Sequence, residues 1–298
     1  MKRSLGLVGA ALCLATTLWA QSAPPGTDIY LVRLRAGGGA ISDPPVNVTH
    51  RPGYDNQPAF TPDGRSMLFT SIHDDGQADT YRLDLATRAV TQLTHTPESE
   101  YSPTPMPNST GFSVVRVEMD SAQRLWGFAA DGSAPVLLLP AIAPVGYHLW
   151  LDDHTLALFV LGSPNTLQIA DTQTGEGRTI ARNIGQSLQR VPGSTRFSFL
   201  LRADSVWNLE TADPAAPDGA LQRVATMPRR AGYVVWQSPT TVLTAAGTTI
   251  YRLDLSAGAD ASWKPIADFN EEGLRNITRL ALSPDGSWLA VVAEPIAN

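Results

Sequence analysis

The chain has 298 residues, of which 43% are hydrophobic and 17% are charged. This apolar content can form a large buried core, so a wholly disordered chain is excluded. The formal net charge is −6, from 22 Lys and Arg against 28 Asp and Glu. An acidic balance argues against a protein that coats nucleic acid or an anionic membrane, and no nucleic-acid partner is expected.

The first twenty residues have the pattern of a secretory signal peptide. Lys2 and Arg3 precede a mostly apolar, uncharged run over residues 5–20. This pattern predicts a Sec-type signal that is cleaved after Ala20 or Ala23. The mature protein is then expected to be periplasmic or secreted, without stable insertion in a membrane.

Two alternatives for this segment stay open. A retained membrane anchor needs about 20 apolar residues, and the run is short for that purpose. A lipoprotein would use Cys13, but Leu12 precedes it where a small residue is usual. Since Cys13 is the single cysteine, signal cleavage would leave an exported domain without disulfides or thiolate ligands.

The stretch PAFTPDGRSMLFTS at residues 58–71 predicts a β-hairpin. Proline at 62 presets one backbone dihedral, and glycine at 64 supplies the left-handed conformation that a tight turn needs. Strand-forming residues lie on both sides of the turn. The next segment, DTYRLDLATRAVTQLT at 79–94, predicts two further short strands.

The same pattern returns along the chain. LALSPDGSWLAVVA at 280–293 repeats the hairpin, and IYRLDL at 250–255 repeats TYRLDL at 80–85. GYHLWLDDHTLAL at 146–158 aligns with GYVVWQSPTTVL at 232–243. A fixed period in the forties, with about four short strands in each unit, is typical of a β-propeller. A β-sandwich has no such repeat.

The two ends of the chain are expected to form one blade together. The last unit contains only two strands, while DIYLVRL at 28–34 and PVNVTH at 45–50 match the missing two in type and order. This pairing would close the ring and remove two open sheet edges. We therefore predict an all-β, six-bladed propeller over residues 28–298, joined to the signal by a linker at 21–27.

The repeat resembles the WD40-like PD40 family and the TolB-like six-bladed propeller. TPDG at 61–64, SPDG at 283–286 and QLTH at 92–95 carry the resemblance, which extends over about residues 28–294. The turns of the middle four blades have diverged from this motif, and no counterpart of the N-terminal α/β domain of TolB is expected. The resemblance implies a propeller fold and suggests an envelope or periplasmic protein or peptide as partner.

Polar and aromatic residues align at one end of the innermost strands. In a propeller these strands line the central channel, so the aligned residues should meet at one channel mouth. The predicted ligand-binding residues are Asp55, Asn56, Gln57, Glu98, Glu100, Tyr101, Tyr147, His148, Gln186, Tyr233 and Arg279. Such a composition suits a small-molecule or peptide pocket, although channel mouths are polar in any propeller.

No catalytic residue, metal site or cofactor is predicted. A metal centre would need His148 together with Asp55, Glu98 or Glu100, and no HxH or HExxH spacing supports it. Residues 185–189 lack the final glycine of a GxSxG nucleophile elbow.

The sequence favours an exported, non-enzymatic propeller that binds a protein, peptide or envelope ligand at its channel face. The alternatives are a secreted enzyme, namely a metal-assisted lyase or hydrolase acting on carbohydrate or ester in the channel mouth, and a purely structural scaffold. Trp150 and Trp236 occupy matching repeat positions. They are expected to pack between blades rather than bind a ligand.

Overall fold

The computed structural model describes residues 24–34, 41, 43–73, 76–107 and 109–295. The predicted signal peptide lies outside these residues. The described part of the chain forms six antiparallel sheets of four strands each. The predicted six-bladed propeller is therefore confirmed.

The strands follow the repeat from end to end. Blades 1 to 6 are numbered in chain order from the first complete unit, and the strands in chain order from the N-terminus. The N-terminal pair is β1 (Asp28–Arg33) and β2 (Val46–Asn47). Blade 1 is β3 (Tyr54–Phe60), β4 (Ser66–Ile72), β5 (Ala78–Asp84) and β6 (Val90–Gln92); blade 2 is β7 (Ser99–Pro105), β8 (Phe112–Val117), β9 (Gln123–Phe128) and β10 (Val136–Leu137). Blade 3 is β11 (Val145–Trp150), β12 (Thr155–Val160), β13 (Thr166–Asp171) and β14 (Gly177–Arg182); blade 4 is β15 (Ile184–Arg190), β16 (Phe197–Ala203), β17 (Val206–Ala212) and β18 (Gln222–Thr226). Blade 5 is β19 (Val234–Ser238), β20 (Thr241–Ala246), β21 (Thr249–Asp254) and β22 (Lys264–Asp268), and the C-terminal pair is β23 (Leu274–Leu282) and β24 (Trp288–Pro295).

A short 3-10 helix at Leu255–Asp260 interrupts the all-β pattern in blade 5. No helix in the described part of the chain has the length and apolar character needed to cross a membrane.

The ring is closed by the N-terminal strands, as predicted. The strand order of blade 6 is β23-β24-β1-β2, and Leu31 of β1 pairs with Ala290 of β24. Thr27, just before β1, is also tied to blade 1, because its carbonyl accepts a 2.9 Å hydrogen bond from the Asp55 backbone N–H. The two ends of the chain are thus held on the same blade, and that blade is joined to the next.

The apolar residues of each strand alternate between two blade interfaces. In β1, Ile29 and Leu31 pack toward blade 1, whereas Tyr30 and Val32 pack toward blade 5. This alternation follows from the two-residue period of a strand. Among the described residues the core divides into six clusters, one between each pair of neighbouring blades.

The two repeat-matched tryptophans pack between blades, as expected. Trp150 of β11 donates its indole N–H to the Ser113 hydroxyl of blade 2 at 2.9 Å. Trp236 of β19 donates in the same way to Ser198 of blade 4 at 2.8 Å. All four side chains are buried, so each pair satisfies a polar group inside an apolar interface.

Candidate functional site

Backbone irregularities shape the inner edge of the propeller. Five of the six innermost strands, β3, β7, β11, β15 and β23, shift register near the aligned ring positions. Gln57 and Ser102 have positive φ angles of 59° and 55° within these bulges. A bulge bends the strand and re-aims its side chains. Here the Gln57 side-chain oxygen accepts a 2.7 Å hydrogen bond from the Ser102 backbone N–H of the next blade.

All six blades contribute to one cavity of about 230 Å³ in the central channel. Its volume lies just below the usual range for small-molecule pockets, about 300–1,000 Å³. Six of the predicted site residues line it: Gln57, Tyr147, His148, Gln186, Tyr233 and Arg279. The cavity is therefore sized for a small ligand or for one end of a larger one.

Arg279 is the cation of this cavity, and tyrosine rings surround it. Its Cζ lies 4.2 Å from the ring centroid of Tyr233 and 5.0 Å from that of Tyr147. Its Nη2 donates to the Tyr147 hydroxyl at 3.2 Å. Tyr233 in turn donates its hydroxyl to the side-chain oxygen of Gln186 at 3.0 Å. These contacts hold the guanidinium in one orientation at the channel mouth.

Burial and the nearby Arg279 guanidinium shift the pKa values of the tyrosines around it. Burial raises the pKa of Tyr54 to about 12, although the nearby Arg279 opposes the rise. Burial also raises the pKa of Tyr233 well above its usual value. For Tyr147 burial acts in the same direction, but the charge and hydrogen bond of Arg279 outweigh it, and the pKa is lowered. Of these three tyrosines, Tyr147 is therefore the one whose pKa is lowered by Arg279.

His148 lines the cavity, but its ring also bonds across the interface between blades 2 and 3. Its Nε2 lies 2.7 Å from the Ser113 hydroxyl oxygen, which also accepts from Trp150. Only 7% of His148 is exposed, and burial lowers its pKa to about 3. The side chain is neutral near pH 7 and links blades 2 and 3.

The three predicted acids do not line the cavity, which corrects their expected place at the mouth. Asp55 is fully buried and pairs with Arg51, 2.6 Å away. Glu98 and Glu100 both pair with Arg116, at 3.1 and 3.3 Å. Burial raises the pKa of Glu100 to about 7, against hydrogen bonds from Thr96 and Thr94 and the charge of Arg116. These carboxylates neutralise arginines within the sheets.

Asn56 and Tyr101 also lie outside the cavity lining. Asn56 is buried, and its side-chain oxygen accepts a 2.7 Å hydrogen bond from the Gln57 backbone N–H. Tyr101 packs against the core between blades 2 and 3, and burial raises its pKa. Both residues support the bulged strands rather than face the channel space.

His148 is not brought together with the acids that were weighed for a metal centre. His148 bonds to Ser113, while Asp55, Glu98 and Glu100 each pair with an arginine. Within the described ranges, no group of three or more His, Cys, Asp or Glu side chains has metal-binding geometry.

A second cavity, not anticipated from the sequence, adjoins the channel mouth. We call this space of about 370 Å³ the vestibule; its lining includes Arg230, Asn276 and Thr278. Gln186 and Tyr233 line both the vestibule and the channel cavity. The hydrogen-bonded pair therefore lies between the two cavities. Arg230 lies before β19, outside the aligned ring positions, so the repeat gave no signal for it.

Comparison with known proteins identifies the fold. No protein-family model matches the chain. A propeller from Agrobacterium tumefaciens assigned as a TolB is 14% identical, with a TM-score of 0.70 over 92% of this chain and 100% of that one. TolB from Acinetobacter baumannii is 20% identical, with a TM-score of 0.52 over 61% of this chain and 46% of that one. An oligogalacturonate lyase in complex with manganese is 16% identical, with a TM-score of 0.54 over 92% of this chain and 98% of that one.

These similarities show a TolB-like six-bladed propeller fold. At such low identities, the fold is what is shared. One of these similar structures is an enzyme, and one fold can host unrelated functions, so the role of this chain has to be argued from its own site.

Proposed function

We propose that this protein is an exported, non-enzymatic propeller that binds a protein, peptide or envelope ligand at the channel face. The observation that carries the proposal is the cavity that all six blades line, with Gln57, Tyr147, Gln186, Tyr233 and Arg279 around it. A concave site with a few convergent polar groups and aromatic walls is the usual form of a ligand pocket. The predicted signal segment supports export to the periplasm or beyond.

A binding role fits this chemistry better than the alternative of a metal-assisted enzyme. The candidate ligands His148, Asp55, Glu98 and Glu100 are held by other partners. The tyrosine hydroxyls and Gln186 offer hydrogen bonds, and the rings offer apolar surface. The vestibule and the channel cavity together would accept a small ligand or the end of a peptide.

Affinity capture from an envelope extract tests the proposal. The bait is the tagged protein, compared with a double variant, Gln186→Ala with Tyr233→Ala, that alters the wall shared by the two cavities. His148 is left unchanged because it links two blades. Arg182→Gln, on the exposed outer strand β14, serves as a control variant. Native mass spectrometry of the same preparations detects a small ligand that co-purifies.

We expect one or a few partners, or one co-purified small ligand, to be bound by the protein and by the Arg182 control but not by the double variant. Circular dichroism and thermal melting verify that the double variant is folded. Identical capture by the protein and a folded double variant, with no difference in bound small ligand, would contradict binding at the channel face.

A further inference from the structure

The two cavities at the channel mouth have a charge opposite to that of the whole protein. The chain has a formal net charge of −6. Among the described residues, the lining of the channel cavity and of the vestibule includes no Asp or Glu. It includes two arginines, Arg279 in the channel and Arg230 in the vestibule. These two arginines give both cavities a positive charge.

Arg279 has no acidic partner within the part of the chain that the structure describes. The ion pairs found there join Arg51, Arg116, Arg124 and Arg252 to carboxylates, but none involves Arg279. Its Nε is buried and makes no hydrogen bond. A buried donor without an acceptor is costly. A ligand that supplies an acceptor would therefore gain more here than at the protein surface.

The guanidinium is already oriented for such a ligand. The tyrosine rings of 147 and 233 lie near it, and Nη2 bonds to the Tyr147 hydroxyl. The guanidinium makes no further hydrogen bond to the described residues, so it has N–H donors left for an oxyanion. Arginine binds carboxylate and phosphate groups through parallel N–H donors in a planar fork. A fork that is fixed before binding loses little side-chain entropy when the anion arrives.

A second unpartnered group, in His148, lines the same cavity. The Ser113 hydroxyl lies 2.7 Å from His148 Nε2 but 3.3 Å from the Thr104 carbonyl oxygen. His148 Nδ1 is buried and has no hydrogen-bond partner. The hydroxyl of Ser102, which also lines this cavity, is likewise buried without a partner, so three lining residues of the described chain have polar groups left for a ligand.

We infer that the channel site takes an anionic ligand, whose carboxylate or phosphate group is bound by Arg279. The inference rests on the proposed function and names the ligand class of that same site. Gln186 and Tyr233 would contact the part of the ligand between the two cavities, and Arg230 favours negative charge in the vestibule. An anion supplies both an acceptor and the opposite charge to Arg279, whereas a neutral ligand supplies at most an acceptor.

Thermal melting with two simple anions tests this inference. Sodium acetate is the carboxylate probe and inorganic phosphate is the phosphate probe, each compared with sodium chloride at equal ionic strength. The protein, Arg279→Met and the control Arg182→Gln are melted over a concentration series. A ligand that binds only the folded state raises the melting temperature, by about 5 °C at a hundredfold excess over Kd for a domain of this size.

We expect a saturable rise with acetate, phosphate or both for the protein and the Arg182 control, and no rise above the chloride reference for Arg279→Met. The anion that acts identifies the group. Equal responses of the protein and the Arg279 variant to both anions would overturn the inference. If Arg279→Met does not fold, Arg279→Lys replaces it. Because lysine lacks the fork, at least a tenfold higher Kd is then expected, and an unchanged Kd refutes the role of Arg279.

The capture assay separates this inference from the proposed function. If capture is lost on changing Gln186 and Tyr233 but persists in the Arg279 variant, the channel binds a neutral ligand. The proposed function then stands and the anion inference fails. If the Gln186 and Tyr233 changes leave capture and bound small ligand unaltered while the anion shift depends on Arg279, the anion site stands and the proposed binding role fails.

Discussion

Two repeat-related serines allow the contribution of one buried histidine to be measured. Ser113 and Ser198 are both fully buried and both accept from the tryptophan of the following blade. Each also lies near a main-chain oxygen nine residues earlier, at 3.3 and 3.5 Å. Only Ser113 has a further partner, His148; the matching position in blade 5 is Val234.

The cost of the serine-to-alanine change should therefore differ between the two sites. Ser198→Ala leaves one buried donor unsatisfied, which costs about 1–3 kcal/mol of the free energy of unfolding. Ser113→Ala leaves two buried polar groups without a partner, the Trp150 indole N–H and His148 Nε2, and should cost about 2–6 kcal/mol. Urea unfolding, followed by tryptophan fluorescence at pH 7, measures both. Equal losses of the free energy of unfolding at the two sites would refute the hydrogen bond between His148 and Ser113.

The pH dependence of stability provides an independent check on the same histidine. Burial lowers the pKa of His148 to about 3, whereas an unfolded histidine titrates near 6.5. Between these values the unfolded chain binds the proton and the folded chain does not, so stability falls as the pH falls, by up to about 1.4 kcal/mol per pH unit. His148→Val, which copies blade 5, should reduce this slope between pH 6.5 and pH 4. An unchanged slope would contradict a neutral, buried His148.

Three further predictions concern ring closure and the channel cation. Leu31→Ala in the closing strand should lower the free energy of unfolding in urea by about 2–5 kcal/mol, because Leu31 is only 1% exposed. Val46→Ala should lower it by less than about 0.5 kcal/mol, because Val46 is 52% exposed. Equal effects of the two changes would contradict ring closure by this strand. Arg279→Met should change the free energy of unfolding by no more than about 1 kcal/mol in anion-free buffer. It removes a buried donor without a partner, which gains about 1–3 kcal/mol, and this gain offsets the lost contacts with the tyrosine rings. A loss above about 3 kcal/mol would indicate a structural role for Arg279. The same variant should raise the pKa of Tyr147, because the guanidinium that lowers it is gone; ultraviolet titration measures this, and an unchanged value refutes the coupling.

The fold could be predicted because each repeat contains turn residues that mark where its strands begin and end. In both PDG turns glycine adopts the left-handed conformation, with φ of 67° at Gly64 and 69° at Gly286. The preceding aspartate accepts a 2.6 Å hydrogen bond from the hydroxyl two residues before it, Thr61 in one turn and Ser283 in the other. Turn residues and a two-residue apolar period specify each blade locally. The closing pair was found by the same pattern, since β1 is apolar on both faces like the other central strands.

The site could be predicted only in part, because register decides which way a side chain points. Asp55 and Glu100 occupy the same repeat position, immediately before the aligned ring. One step along a strand turns a side chain to the other face, and both carboxylates are buried beside an arginine. The bulges that follow, with positive φ at Gln57 and Ser102, change the register again, and alignment of the repeats does not reveal them.

Net charge does not reveal the charge of the channel lining, because the acids of this chain lie elsewhere. Aspartates such as Asp84, Asp131 and Asp254 accept hydrogen bonds from backbone N–H groups two residues later, in exposed turns. Propeller turns need such residues at every blade, so the negative charge accumulates at the connections between strands. The parts of the innermost strands that line the channel cavity do not need such turn aspartates, so they can present a positive charge to the channel. An acidic propeller can therefore hold Arg279 in its channel, and only a ligand small enough to enter would experience that charge.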